Sequence, residues 1–529
     1  MPLPAAQVVS GRPTDQAHHT ASSVKRSIAF GALNAWRTGQ LHATYNFQVQ
    51  SFFVENFGCR ATQADGAAIE RDLLARGMVR AGARREADLV VLNTCTVTAA
   101  ADQDARSAIR RARRENPQCK VLVTGCYAQR APEQISAIPG VTWVVGNSHK
   151  SKLGEIAAGS GLVSLDAIQP RGPESHAATF VSDIFAHTEL LAAPGIAGNS
   201  GWDRTRPTLK VQDGCDNRCS FCVIPYVRGQ SRSLPLEAVL REVDALVSAG
   251  YREIVLSGIN LGRWGRDLDP IAGGGRRRTP RFEDLLRAIL ERTAADKLRI
   301  SSVEPMDWSS ELIGLMADSP RIAKHAHVPL QSGSDRILRQ MHRKYRPWHY
   351  ADRIVRIREA MPAAAIGADV MVGFPGESEA DFKESRRFIA ELPFTYLHVF
   401  MYSPRPGTPA AAMPSQVHGE IARERSHALR QLAAEKNLAF RRSMVGCTLS
   451  AITLNTQPGG AGCTEALSDN YLKLRVEGDH APNRWLEVRV TRVTDDGIAG
   501  TPLHGPGSAE NVALEIPLAS NDIRCANRP

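Results

Sequence analysis

Lys210-Val-Gln-Asp-Gly-Cys215-Asp-Asn-Arg-Cys219-Ser-Phe-Cys222-Val-Ile-Pro225 is the stretch from which the rest of the chain can be read. It carries three cysteines in a Cys-x3-Cys-x2-Cys spacing, after a short apolar run and inside a turn rich in Gly, Asp and Asn. Three thiolates from one loop can hold three irons of a cubane cluster, leaving the fourth iron without a protein ligand. Clusters used only to carry electrons usually have four thiolates, so an open iron points to a bound small molecule. The alternatives are a zinc knuckle short of its fourth ligand and three unrelated buried thiols. Zinc motifs usually pair Cys-x2-Cys with a second pair downstream, and the next cysteine after Cys222 is Cys447.

A chain of 529 residues exceeds one ordinary core and implies several domains. Its hydrophobic share of 43% and charged share of 23% are those of a soluble globular protein. No apolar run approaches the roughly 18 residues of a membrane helix, so no membrane partner is expected. The net charge of +10 weakly favours a polyanionic partner such as RNA. Ten cysteines in so long a chain do not make a disulfide scaffold, and six of them form two ligand-like sets. That usage suits a reducing, cytoplasmic compartment.

Upstream of the opening stretch the chain alternates strands and helices. Ser51-Phe-Phe-Val-Glu-Asn-Phe-Gly-Cys59, Ala87-Asp-Leu-Val-Val-Leu-Asn-Thr-Cys95 and Lys120-Val-Leu-Val-Thr-Gly-Cys126 each read as an apolar strand ending at a cysteine. The alternation predicts a Rossmann-like parallel sheet. Residues just beyond the C-terminal ends of such strands converge on one edge, where ligands bind. Cys59, Cys95 and Cys126 therefore meet as a second cluster-binding set, the alternative for each being an ordinary buried cysteine. Cys119 precedes its strand and reads as structural. Residues 1–46 contain one acidic residue, Asp15, and read as a disordered tail or the product of an upstream start. Residues 159–202 are Gly, Ala, Pro and Ser-rich and read as a linker or insertion.

Downstream, six strand candidates alternate with amphipathic helices: Leu209–Val211, Glu253–Gly258, Leu298–Val303, His325–Leu330, Ile366–Gly373 and Tyr396–Phe400. Six βα units make a partial TIM-type barrel, with reactive groups at the strands' C-terminal ends. The Gly/Arg-rich stretch Ala272–Arg281 reads as a loop whose three consecutive arginines could touch phosphate. Gly373-Phe-Pro-Gly-Glu377 reads first as a tight turn, with a substrate loop as the alternative, and His325 and His327 read as structural. After Arg441 short alternating runs at Thr448–Leu454, Tyr471–Val476 and Trp485–Val493 predict a small antiparallel β-barrel. Tyr471, Lys473, Arg475, Arg489 and Arg492 are its candidate RNA contacts, because basic groups interleaved with an aromatic suit RNA. The rival reading is a capping domain without RNA contact. Cys447, Cys463 and Cys525 match no ligand pattern.

The cysteine loop, with Gln212-Asp-Gly-Cys and Cys222-Val-Ile-Pro-Tyr-Val-Arg-Gly, resembles the radical S-adenosylmethionine (SAM) superfamily and its methylthiotransferase branch. Asn56-Phe-Gly-Cys-Arg-Ala-Thr-Gln, Asn93-Thr-Cys-Thr-Val-Thr and Val123-Thr-Gly-Cys-Tyr-Ala-Gln are similar to the N-terminal domain of that branch, and Asp469-Asn-Tyr-Leu-Lys-Leu resembles its RNA-binding TRAM domain. The resemblance implies an N-terminal methylthiotransferase domain over 47–158, a radical SAM core over 203–440 and a TRAM-like domain over 441–518. It also implies two 4Fe–4S clusters. The one at Cys215, Cys219 and Cys222 reductively cleaves SAM to a radical that takes hydrogen from C2 of an adenine. The one at Cys59, Cys95 and Cys126 delivers the methylthio group. Such chemistry lies beyond side-chain acids and bases, so the protein's part is position and electrostatics. An electron donor such as flavodoxin or ferredoxin follows from the reductive step.

SAM needs acceptors, donors and close backbone approach. Ser257 and Gly258 follow the second barrel strand, Glu304 the third and Gln331 the fourth, while Arg343 could pair with the SAM carboxylate and Phe221 pack over its adenine. For Phe221 the alternative is a buried core aromatic, and for the others a barrel-rim salt bridge or hydrogen bond without ligand. Gly250–Gly262 and Met341-His-Arg-Lys-Tyr look most like the branch that modifies N6-threonylcarbamoyladenosine beside the tRNA anticodon. The isopentenyladenosine branch and the branch acting on a ribosomal-protein aspartate are the enzymatic alternatives, and an iron–sulfur RNA-binding scaffold the non-enzymatic one. Asn217-Arg218 and the arginine after Cys59 depart from the commoner residues at those places.

Overall fold

A computed structural model describes residues 49–158, 177–187, 205–273, 276–456 and 462–503. The expected tail over 1–46, most of the expected linker over 159–202 and Cys525 lie outside the described residues.

The first unit is a six-stranded sheet of β1 (Ser51–Asn56), β2 (Val79–Arg80), β3 (Leu89–Thr94), β4 (Lys120–Gly125), β5 (Trp143–Val145) and β6 (Ala178–Phe180) in the order β2-β1-β3-β4-β5-β6. Every pairing is parallel. Its central strand β3 is buried along its whole length, which is why Leu89-Val-Val-Leu reads as a continuous apolar run rather than an alternating one. Helix α1 (Arg60–Ala75) follows β1, α2 (Ala99–Glu115) follows β3 and the short α3 (Cys126–Arg130) follows β4. The Thr98 side chain accepts from Ala101 N at 3.2 Å and so caps α2.

The second unit contains the six expected strands: β7 (Thr208–Lys210), β8 (Glu253–Ser257), β9 (Lys297–Ile300), β10 (His325–His327), β11 (Ala365–Val372) and β12 (Tyr396–Met401). They form two parallel three-stranded sheets, β7-β8-β9 and β10-β11-β12. Chain continuing from β9 bridges the two, with Val303 N donating to His327 O at 3.1 Å. Alternate residues such as Ile254, Leu256, Leu298, Ile300, Ile366 and Ala368 enter one apolar cluster with the surrounding helices. The residues between them, including Glu253, Arg299, His325, His327, Asp369, Tyr396 and His398, therefore face the lumen. The stretch expected as a loop at Ala272–Arg281 instead contains an antiparallel ribbon, Ile271–Gly273 paired with Arg276–Arg278. The side chains of residues 271–277 lie outside the described residues. Arg278 is committed to Asp284 (2.6 Å) and Arg281 to Glu311, near the starts of the two following helices.

The third unit is a closed five-stranded barrel of β13 (Thr448–Thr453), β14 (Cys463–Ser468), β15 (Lys473–Glu477), β16 (Trp485–Val493) and β17 (Ile498–Pro502), ordered β13-β14-β15-β17-β16. It is mixed rather than wholly antiparallel as expected, because β15 and β17 pair in parallel. Closure forces that pairing: β16 runs between β13 and β17, leaving β17 alone to seal the gap beside β15. This barrel sits on the N-terminal ends of the lumen strands. Asn483 Nδ2 donates to Gly250 O (2.8 Å), Asn470 Nδ2 to Ala363 O (3.0 Å), and Asn455 N to Thr205 Oγ1 (2.9 Å). No helix among the described residues is long and apolar enough to cross a membrane.

Candidate active site

Cys59, Cys95 and Cys126 stand just past the C-terminal ends of β1, β3 and β4, which are neighbours in the sheet. Two glycines make their approach possible. At Gly58 (φ 101°) a Cβ would lie 2.6 Å from Cys95 Cβ and 2.9 Å from its Sγ. At Gly125 (φ 98°) a Cβ would lie 2.3 Å from Thr94 O. Both need the left-handed region that only glycine enters without strain. Burial pushes the Cys95 thiol up to about 12, and the neighbouring Cys126 and Cys59 push the same way. Asn147 Nδ2 reaches Cys126 Sγ at 3.7 Å and Val227 O at 2.7 Å, tying this set to the second unit.

Cys215, Cys219 and Cys222 lie on the loop after β7. Cys215 N donates to Gly229 O (3.1 Å) and Cys222 N to Cys219 O (3.1 Å), closing the loop on itself. Asn217 N approaches Cys215 Sγ at 3.4 Å, and Arg343 Nη1 approaches Cys219 Sγ at 3.2 Å. Burial pushes Cys215 up to about 11 and Cys222 up to about 12. All six cysteines are free of disulfides. Only His327, Asp369 and His398 among the described residues bring three ligand atoms within 4.8 Å of one another, so neither cysteine triad is gathered round a single ion. The thiols of each triad are thus wider apart than the ligands of one tetrahedral zinc ion.

The two triads are joined by a buried ion network that no motif announced. Asp65, on α1, accepts from Lys150 Nζ (2.9 Å), Arg228 Nη2 (2.9 Å) and Lys210 Nζ. Asp213 accepts from Lys210 Nζ (2.7 Å) and Arg228 Nη1 (2.9 Å). Burial opposes ionisation of both carboxyls, yet Lys150, Lys210 and Arg228 hold Asp65, and Arg228 and Lys210 hold Asp213, below the usual carboxylate range. Lys210, Asp213 and Arg228 stand within the quoted motif words. Their partners come from another unit, and nothing in the sequence pairs them.

The expected SAM contacts gather at the top of the lumen with specific commitments. Glu304 and Arg343 pair with each other, and Arg343 Nε also donates to Tyr345 Oη at 3.1 Å. Gln331 is buried at φ 67°, and its Oε1 has no hydrogen-bond partner, as an acceptor kept for a ligand would. Ser257 is buried, and a Cβ at Gly258 would lie 2.9 Å from Gln212 Oε1, so this glycine serves local packing. Phe221 sets its ring edge-on to Phe374 at 6.5 Å. In Gly373–Glu377 the Glu377 carboxylate accepts from Gly373 N (2.7 Å) and from Arg425 (2.7 Å), closing the turn. Arg343→Met is expected to destabilise the protein by about 3 kcal/mol, because Glu304 loses its cation. Thermal unfolding of the single variants and of Arg343→Met/Glu304→Gln checks this, the double variant recovering part of the loss.

Of the expected RNA contacts, Lys473, Arg475, Arg489 and Arg492 are exposed on the C-terminal barrel. Tyr471 is placed differently. It turns inward at φ 67°, its ring 4.3 Å from that of His325 and 5.8 Å from that of Tyr396. It thus plugs the lumen floor.

The "Uncharacterized protein family UPF0004" model matches residues 51–146, and the "Radical SAM superfamily" model matches residues 209–389. The chain is 38% identical over 428 residues to the threonylcarbamoyladenosine tRNA methylthiotransferase MtaB of Bacillus subtilis, covering 80% of this chain and 89% of that protein. It is 35% identical to the corresponding Aquifex aeolicus protein, with 80% and 96% covered. It is 33% identical to a tRNA-2-methylthio-N(6)-dimethylallyladenosine synthase of Saccharopolyspora erythraea, with 75% and 77% covered. Among solved structures, the radical SAM methyltransferase TsrM from Kitasatospora setae superposes with a TM-score of 0.52 at 16% identity over 69% of this chain and 77% of that one, a likeness of fold.

Proposed function

The chain belongs to the radical SAM methylthiotransferase family, and from that premise we propose that it adds a methylthio group to C2 of N6-threonylcarbamoyladenosine, 3′ to the anticodon of tRNA. Membership brings a 4Fe–4S cluster and SAM. The observation that carries methylthio transfer is the pair of separate cysteine triads, each with three free thiols at the C-terminal end of a parallel sheet, and the choice of base is supported by the likeness to the threonylcarbamoyladenosine enzymes.

Cys215, Cys219 and Cys222 would hold the SAM-binding cluster, and Cys59, Cys95 and Cys126 a second one. The donor sets fit: all are thiols, and the raised proton affinity of Cys95, Cys215 and Cys222 is what a bound metal centre overcomes on loading. When bound, these groups supply the radical and the methylthio sulfur that side chains cannot. Arg343 places positive charge on Cys219, and Gln331 offers an unused buried acceptor. The Asp65–Arg228 network fixes one triad relative to the other, so that a base in the lumen meets both.

In this reading residues 47–158 carry the second triad, 203–440 the radical SAM core and 441–518 the RNA-docking barrel. Lys473, Arg475, Arg489 and Arg492 track the anticodon stem-loop phosphates. Flavodoxin or ferredoxin in the cytoplasm would supply the electron. The dimethylallyladenosine relative supports a second reading, with the isopentenyl base at the same position.

Mass spectrometry of nucleosides from total tRNA of parent and deletion strains tests the choice. Loss of 2-methylthio-N6-threonylcarbamoyladenosine with accumulation of its precursor is the expected result. Loss of the isopentenyl analogue would move the substrate to the other branch, and an unchanged profile would remove tRNA as substrate.

A further inference from the structure

Four cations cluster at the lumen floor, and three of them are paired with carboxylates. Arg299 pairs with Glu253 at 2.6 Å, and Arg206 shares that same carboxylate at 3.3 Å. Lys297 pairs with Asp469 at 3.3 Å. The fourth cation is Arg60, whose Nη2 donates to the Tyr471 hydroxyl at 3.1 Å. Among the described residues Arg60 is thus the one cation of these four without a carboxylate partner. Burial and the crowding by Arg299 and Arg60 lower the proton affinity of Arg206 despite Glu253 beside it.

The nearby rings do not add compensating charge. Burial, with Arg299 and Arg60 close by, holds His325 neutral, and its Nε2 is bonded to Tyr396 Oη at 2.7 Å. The next carboxylate up the lumen, Asp369, is already engaged by His398 (3.2 Å) and His327 (3.4 Å). Other cations around the lumen have anionic partners: Lys210 and Arg228 share Asp65 and Asp213, and Arg343 has Glu304.

Arg60 also stands in a telling place. It directly follows Cys59, so its backbone is fixed beside the proposed sulfur-delivering centre while its side chain reaches the floor. It is half-buried, open to what enters the lumen. Tyr471, His325 and Tyr396 form an aromatic wall next to its guanidinium. Such a setting selects a planar group that ends in an anion: the rings take the plane, and the guanidinium fork takes a carboxylate.

We propose that Arg60, oriented by Tyr471, is the recognition residue for the carboxylate of the modified base's N6 substituent, and that this contact separates an anionic threonylcarbamoyl group from an apolar isopentenyl one. The inference rests on the substrate class named above. A guanidinium at this depth could also meet an RNA phosphate, so the test separates the two anions.

The holoprotein, its iron and sulfide content measured, is titrated with three synthetic anticodon stem-loops carrying N6-threonylcarbamoyladenosine, its methyl ester or plain adenosine. Fluorescence anisotropy gives the affinities, and methylthiolation is followed separately. The native protein is expected to bind the acid about tenfold or more tightly than the ester. Arg60→Gln is expected to bring the acid down to the level of the ester while leaving the ester and adenosine RNAs as they were. Arg60→Lys, which keeps the charge without the fork, recovers part of the preference, and Tyr471→Phe loses part of it.

Two results overturn the proposal. One is an Arg60→Gln protein that still prefers acid to ester; the other is an equal weakening on all three RNAs, the signature of a phosphate contact. If the native protein methylthiolates the acid RNA yet does not distinguish it from the ester, the carboxylate contact falls and the function stands. If it methylthiolates none of them, the substrate reading falls with it.

Discussion

Cys219→Ala is expected to abolish SAM cleavage and methylthiolation together, whereas Cys95→Ala is expected to abolish methylthiolation and leave SAM cleavage measurable. The asymmetry follows from the two triads' positions in different units. Cys219 lies on the loop after β7 and is the sulfur that Arg343 touches at 3.2 Å. Cys95 lies after β3, beside Cys126 and Cys59. Each variant leaves its own triad with two thiols, too few for a centre that already dispenses with its fourth ligand. Each should therefore lose about one cluster's worth of iron while keeping the other. Release of 5′-deoxyadenosine, formation of methylthio nucleoside and iron per chain are the three measurements. Cys119→Ala is the control, because Cys119 is buried in the apolar core behind β4 and belongs to neither set. A Cys95→Ala protein with full iron content and normal product would mean that the second triad is not a ligand set.

Asp65→Asn is expected to cost about 3–5 kcal/mol of stability, the scale for breaking a buried pair by removing one partner. Asp65 is the hinge of the network, since Lys150, Lys210 and Arg228 all donate to it. Without its charge, Lys210 and Arg228 are left with Asp213 alone, and Lys150 loses its carboxylate. The pH dependence carries a definite sign. The folded-state carboxyl titrates well below its ordinary value, burial being outweighed by Lys150, Lys210 and Arg228. Its contribution is therefore complete above the unfolded value of about 4 and is lost as pH falls through the folded value. Thermal unfolding of native and variant protein should differ widely at neutral pH, begin to converge as pH falls below about 4, and meet only below the folded-state value. An equal gap at both would assign the effect to packing. The variant should also unmoor α1 from β7, so methylthiolation should fall more than SAM cleavage does.

Much of this architecture was legible in sequence because its signals are local. A strand buried on both faces has to read as Leu89-Val-Val-Leu, and six such runs separated by amphipathic helices leave few arrangements other than a parallel partial barrel. Cysteines directly after β1, β3 and β4 had to converge, since parallel strands deliver their C-terminal ends to one edge. The alternating runs after Arg441 had to close as a small barrel. Local pattern does not choose partners, however. The parallel pairing of β15 with β17 depends on where the barrel gap falls, and the ribbon at Ile271–Arg278 on two short segments finding each other.

The amino-acid sequence by itself determined the chemistry available to this protein: two sets of three thiols, a superfamily loop, and a basic barrel at the end of the chain. Tertiary structure alone decided which charges meet. Asp65 finds Lys210 across 145 residues, and Arg60 finds Tyr471 across 411. Glu304 and Arg343 become one ion pair instead of two separate contacts, and Tyr471 turns from an expected RNA-facing residue into the floor of the lumen. The reason is physical. Residue type and period fix which face of an element is buried, but the energy of a buried charge depends on what lies within a few ångströms, and only the packing of units supplies that.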